Sequence, residues 1–396
     1  FVSDKTGTDN IWSFDMAGQN PRQHTQRSQW QIKSPLMDAG RIIFQSGADI
    51  YAYDIDTNST QKLNITLTSD GDYQRQRWLD TPLEFLSNAS LNPEGESAVI
   101  TARGHFTAAY KGDRRRISFD IPDDARARSA AYSHDGKSVY AILDQGMSGE
   151  IWKFPADGRG DALALTSGSQ DYIWDIFPSP HDDGVLYTDK QGRLYHLDAS
   201  TRAKTLMDTT QSGNDYAFGD FTWSAKGRYV AYTSYDDRDV ARVTIYDTQS
   251  KQKHVVTTGK YQSYGPAFSV DGDWLYFISD RNFNASPGHP WGDRNMGPAF
   301  DDRSKVYALQ LNPDAAFPFE PKDELTSKDK DKDEEKDKDS DDDGDKEEDA
   351  KKDAEADITF AGLSERLWDV PIPSGNYNRL AATKGHIFVH VSGRSP

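Results

Sequence analysis

A short turn signal recurs along this chain at a nearly fixed interval, and it constrains the fold more than any other feature. It runs Ser or Asn, two residues, then Gly, and it sits between apolar runs. The copies are Asn92-Pro-Glu-Gly95, Ser133-His-Asp-Gly136, Ser224-Ala-Lys-Gly227 and Ser269-Val-Asp-Gly272, with a stretched copy at Ser179-Pro-His-Asp-Asp-Gly184. Successive glycines stand 41, 48, 43 and 45 residues apart. A period of roughly 40–45 residues is that of a four-stranded propeller blade, a unit that needs neighbours to cover its faces.

Each period repeats one grammar. A first strand precedes the turn (Arg128–Tyr132, Tyr264–Phe268) and a second follows it (Ser138–Ile142, Tyr229–Tyr232, Trp274–Ile278). The Gly is expected to supply the positive φ of a tight hairpin. A third strand ends in Asp at Asp15, Asp54, Asp198 and Asp247, where the carboxylate can cap the next turn. A fourth often ends in Thr, at Thr25, Thr166, Thr257 and Thr326. Strands are apolar on both sides, Ile50 and Ala52 on one and Tyr51 and Tyr53 on the other, as a sheet stacked between two neighbours requires. Capped runs of helical period are missing from the sequence.

The predicted class is therefore all-β, a β-propeller of four-stranded antiparallel blades: the end of one propeller and most of a second. Residues 1–68 hold the last blades of the first and 69–82 a junction, where the interval from Gly40 to Gly95 stretches to 55 residues. Residues 83–321 hold five blades, 322–357 an acidic disordered insertion, and 358–396 the start of a further blade. Phe1–Asp4 reads as the end of a strand, and Pro396 follows a strand-like run, so a fragment cut at both ends is expected.

Charge narrows the classes of function. The net charge is −18, but 323–357 alone carries 19 Asp/Glu against 8 Lys, which leaves −7 for the rest. Nucleic-acid binding would need a basic surface and is not expected. The absence of Cys removes disulfides, thiolate metal sites and a Cys nucleophile. No run approaches the roughly 18 apolar residues of a membrane helix.

Blades with a Ser-x-Asp-Gly turn resemble TolB-like propeller repeats. Several stretches resemble tricorn-type serine proteases more closely. These are Ala89–Gly95 with Val99–Gly104, Tyr276–Phe283 with Pro290–Pro298, Ala315–Phe319, and Arg366–Tyr377 after the acidic insertion. In that family two propellers precede a PDZ-like domain and a serine-protease core, and the propellers are thought to filter and guide peptides. The resemblance implies a non-catalytic propeller portion, whose partners are peptides and the downstream PDZ-like and protease domains. A homo-oligomeric parent is also compatible with it. The family's catalytic Ser, His and Glu match no position here. Bacterial relatives often carry export signals, so the periplasm is the expected compartment, with the cytoplasm as alternative. A stand-alone TolB-like scaffold and a propeller fused to another hydrolase stay open as rival readings.

Local candidates are few. No cofactor or metal is expected: the nine histidines fall mostly singly, and His386 and His390 share a strand face about 13 Å apart. Asp339–Gly344 opens like a calcium loop, but its twelfth position is Ala350, where a Glu is needed. Arg114, Arg115 and Arg116 form the only basic triplet and could fork onto a peptide carboxylate. Trp291 and Arg294, in an insertion after a second strand, are the other candidate peptide contacts, since long propeller loops collect binding residues.

Overall fold

A computed structural model describes residues 1–66, 68–71, 75, 77–146, 148–212, 216–283, 300–320 and 356–392. The chain divides into two compact units, Phe1–Thr205 and Leu206–Pro396. Its architecture is all-β. Among the described residues six four-stranded antiparallel sheets follow one another, each a meander whose strands pair in chain order, which is the blade of a β-propeller.

In the first unit a three-stranded sheet (Val2–Ser3, Asn10–Ser13, Arg22–Gln23) comes first. Blade A follows with strands Ile32–Asp38, Arg41–Ser46, Asp49–Asp54 and Ser59–Lys62. Blade B has Leu86–Leu91, Ser97–Ala102, His105–Tyr110 and Ile117–Ser118, after a single 3-10 turn at Pro82–Phe85. Blade C has Arg126–Tyr132, Ser138–Gln145, Ser148–Pro155 and Leu163–Ala164. Blade D has Ile173–Pro178, Gly184–Asp189, Arg193–Asp198 and Lys204–Thr209, the last strand spanning the division between the units. In the second unit blade E has Phe218–Trp223, Tyr229–Tyr235, Ala241–Asp247 and Gln252–Val255. Blade F has Ser263–Phe268, Trp274–Asp280, Ser304–Gln310 and Leu367–Asp369, and a hairpin, Tyr377–Thr383 with His386–Val391, comes last.

The turn signal has a physical cause. Its first residue accepts a hydrogen bond from the backbone N–H five residues on, where the second strand begins. Ser133 accepts from Ser138 at 3.0 Å, Ser224 from Tyr229 at 2.9 Å, Ser269 from Trp274 at 2.9 Å, and Asn92 from Ser97 at 2.9 Å. Gly136 and its counterparts take the expected positive φ. The stretched copy differs. Gly184 lies in extended strand, and it is small for another reason: an added Cβ would come within 2.6 Å of His196 Nε2 and 2.8 Å of Asp182. The fourth-strand Thr also acts on the backbone. Thr166 and Thr257 accept from the third-strand N–H groups of Ile151 and Val243 at 2.9 and 3.0 Å, and Thr25 accepts at 2.9 Å from Ile11 in the middle strand of the first sheet.

Blade F corrects the sequence layout. Its fourth strand is not completed before residue 321, because Leu367–Asp369 pairs with Tyr307–Leu309. The insertion therefore interrupts a blade between its third and fourth strands, and Leu367–Asp369 closes that blade rather than opening the next. Trp368 fixes the late arrival, stacking on Phe317 at 4.8 Å and edging Trp274 at 6.3 Å. The acidic run 322–355 lies outside the described residues. The expectation that Ile50 is covered also fails: Ile50 is exposed while Tyr53, on the other face, is buried.

Candidate binding site

The predicted cations and the observed cleft lie at opposite ends of blade B. In a meander, the links between strands one and two and between three and four open at one end; the link between two and three opens at the other. Arg114, Arg115 and Arg116 form the third-to-fourth link and are all exposed. Arg115 donates to the Asp157 carbonyl of blade C at 2.7 Å, and Arg114 lies over the Tyr110 ring at 5.5 Å. The triplet thus braces a solvated edge. Trp291 and Arg294 fall outside the described residues.

At the other end is a cleft of about 620 Å³ between blades B and C, lined by Phe85, Ser87, Asn88, Arg103, Gly104 and Arg126–Ser129. Its rim is the two-residue turn Arg103-Gly104, which joins Ala102 to His105. Both turn residues have positive φ, +53° and +79°, as a type I′ hairpin demands. Asn, Asp or Gly is the usual first residue of such a turn, so holding Arg there stores local backbone strain. Gly104 is required twice over, by its φ and because an added Cβ would meet Arg126 Cγ at 3.0 Å. The two blades are laced together here: Ala127 N–H donates to the Gly104 carbonyl at 2.8 Å, and the Asn88 amide donates to the Ala130 carbonyl at 2.9 Å.

The three arginines of the cleft differ in what they are free to do. Arg128 is engaged on every side. It forks onto Asp144 at 2.6 and 2.9 Å, donates to the Ile173 and Trp174 carbonyls at 2.6 and 2.8 Å, and lies over the Tyr172 ring at 4.3 Å. Arg103 and Arg126 are exposed, and among the described residues no carboxylate lies within ion-pair distance of either. Arg103 stacks over the Phe85 ring at 5.0 Å. Two uncompensated guanidinium groups beside an aromatic ring make a site for a planar anion, which arginine forks onto through paired N–H donors. Among the described residues no group of three His, Asp or Glu side chains is placed to hold a metal.

The family model for the tricorn protease second beta propeller domain matches residues 86–395. The chain belongs to this family. The match begins at the first residue of blade B, so every lining residue of the cleft except Phe85 falls within the matched range. The chain is 22% identical over 388 residues to a tricorn protease homolog of Saccharolobus solfataricus, covering 98% of this chain and 32% of that protein. It is 24% identical over 295 residues to the tricorn protease of Thermoplasma volcanium, covering 72% of this chain and 27% of that one. A crystal structure of the tricorn protease superposes with a TM-score of 0.59 at 20% identity, over 97% of this chain and 34% of that chain. The tricorn-type chain described here thus spans about a third of the length of these relatives.

Proposed function

We propose that this chain is a non-catalytic propeller portion of a tricorn-like serine peptidase that contacts polypeptides and guides them toward a protease core. The observation that carries the reading is the cleft between blades B and C, where Arg103 and Arg126 stand without carboxylate partners beside Phe85. A polypeptide offers the matching chemistry: carboxylates for the guanidinium groups and apolar side chains for the ring. Family membership supports the peptidase context.

The test is fluorescence anisotropy of labelled acidic peptides added to the purified chain. Replacing Arg103 and Arg126 together by Ala is expected to weaken binding by about tenfold per guanidinium removed, the scale of a charge-assisted hydrogen bond. Replacing Arg114, Arg115 and Arg116 by Ala should change it less than about twofold, as for exposed charges. No peptide should be cleaved. Equal affinity of the Arg103/Arg126 variant and the parent chain would overturn the reading, and a larger loss in the triplet variant would move the site to the other end of the blade.

A further inference from the structure

A second arrangement of polar groups lies outside the cleft, where the first three-stranded sheet meets blade A. Ser13 ends the strand Asn10–Ser13, and its hydroxyl is 2.7 Å from His24 Nε2. His24 Nδ1 is 2.9 Å from the Tyr53 hydroxyl, the Tyr53 hydroxyl is 3.0 Å from Asn58 Oδ1, and Arg22 Nη2 is 2.6 Å from the same Oδ1. Four contacts join five side chains from three stretches of sequence.

The direction of every hydrogen bond in this chain follows from its last member. A guanidinium can only donate. Arg22 therefore fixes the Asn58 amide with its oxygen inward. That oxygen can only accept, so Tyr53 must donate its single proton to it. The Tyr53 oxygen is then left as an acceptor for the imidazole, which places the His24 proton on Nδ1. Nε2 keeps its lone pair, and Ser13 must donate to it. The outcome is a serine hydroxyl directed at an unprotonated imidazole nitrogen, with the imidazole held in one tautomer by a group behind it. That is the nucleophile–base–orienter order of an activated serine.

The surroundings fit. Ser13 and His24 are half-buried and so reachable, whereas Tyr53 is fully buried and fixed. Burial, and after it the neighbouring Arg22, push the His24 imidazole below its ordinary value, so the neutral base dominates at pH 7.

We propose that Ser13 is a base-activated nucleophile, with His24 as its base and Tyr53 as a positioning residue, that accepts an acyl or phosphonyl group from an electrophile bearing a good leaving group. With a fluorophosphonate, the Ser13 Oγ–P bond forms and the P–F bond breaks. Fluoride departs, and the Ser13 proton passes to His24 Nε2 and then to water. The transfer is a single stoichiometric event, because turnover also needs donors for a developing oxyanion.

The experiment treats the 396-residue chain with a fluorophosphonate at pH 7.5 and follows each modified hydroxyl by peptide mapping. Ser13 is expected to react about a hundredfold faster than other exposed serines, the lower range for a positioned general base. The rate should fall with acid at a midpoint below the ordinary histidine value. His24→Gln should return Ser13 to the background rate. Tyr53→Phe keeps the ring and fold, frees the tautomer, and should slow labelling several-fold. In the parent chain, ¹⁵N NMR should place the His24 proton on Nδ1. Labelling of Ser13 no faster than that of its neighbours, or a rate unchanged by both variants, would overturn the proposal. So would an Nε2 proton on His24.

Discussion

Blades A and C share the same strand order, yet they meet their surroundings differently. In blade C the second strand is buried on both faces, and its consecutive residues belong to two different cores. Val139, Ala141 and Leu143 pack with Val99, Phe106 and Phe119 of blade B. Tyr140 and Ile142, between them, pack with Ile173, Ile176 and Val185 of blade D. In blade A only one face is covered, where Ile32, Phe44 and Tyr53 meet Ile11. The other face presents Leu36 at 74% exposure, with Ile43 and Ile50 beside it. An apolar residue on both faces of a strand therefore records what the chain could cover. What is covered depends on which neighbour is present.

The largest expected effect breaks the comparison if it fails. Ile142→Ala in blade C removes a side chain with no exposure, and should destabilise by about 2–5 kcal/mol through lost burial and a cavity. Ile43→Ala in blade A removes a partly exposed one, and should stay below about 1 kcal/mol, since little area returns to water. Urea unfolding of both variants gives the difference. Equal losses would mean that the outer face of blade A is covered in solution.

A smaller effect should be common to both regions, because it depends on a local device. Thr25, which follows the last strand of the sheet before blade A, accepts from the Ile11 N–H of the strand next to it, and Thr166 in blade C accepts from the third-strand Ile151 N–H, each at 2.9 Å. Thr→Val at either place removes the acceptor at nearly constant volume, and should cost about 1–3 kcal/mol for the orphaned donor. Similar midpoint shifts for the two variants would show the hydroxyl working independently of the second face. A loss confined to Thr166 would make it a consequence of packing between blades.

The same contrast explains what could be read in the sequence. Turns, third-strand Asp and fourth-strand Thr were legible because each acts on backbone within a few residues or one strand away. The closing strand of blade F was not, since Leu367–Asp369 is short and arrives more than fifty residues after its partner strand Ser304–Gln310. The cleft was hidden for a related reason. Arg103 and Arg126 lie 23 residues apart, and each alone reads as a turn or a strand edge. One local clue existed: Arg-Gly fills a two-residue hairpin turn where Asn-Gly is the easier choice. Ser13, His24 and Tyr53 were equally dispersed, and only the pairing of two sheets brings them into line.

The smallest expected effect sharpens the comparison at the level of one carboxylate in each kind of blade. Asp54 ends the third strand of blade A and accepts from the Thr57 N–H at 3.0 Å and the Thr57 hydroxyl at 2.9 Å. Asp198 ends the third strand of blade D and accepts from the Ser200 and Thr201 N–H groups at 2.8 and 3.0 Å. The Thr57 N–H chiefly holds the Asp54 carboxyl below its ordinary range, and the Thr201 N–H does the same for Asp198. A carboxylate with a depressed folded-state pKa contributes stability above its unfolded value. That contribution is lost as pH falls through the folded value, so each turn should loosen only in acid, below about pH 4. Carboxyl ¹³C NMR titration should give two depressed midpoints, and Asp→Asn at either place should flatten the acid limb of the stability curve slightly without changing stability near neutrality by much. The outer face of blade A is open and its turn is solvated, so a depressed midpoint at Asp54 comes chiefly from the Thr57 N–H of the turn, with a smaller part from Arg41 at 3.6 Å. If Asp54 titrates in the ordinary range while Asp198 does not, the shared turn chemistry depends on the neighbouring blade, and the separation of local turn from covered face fails.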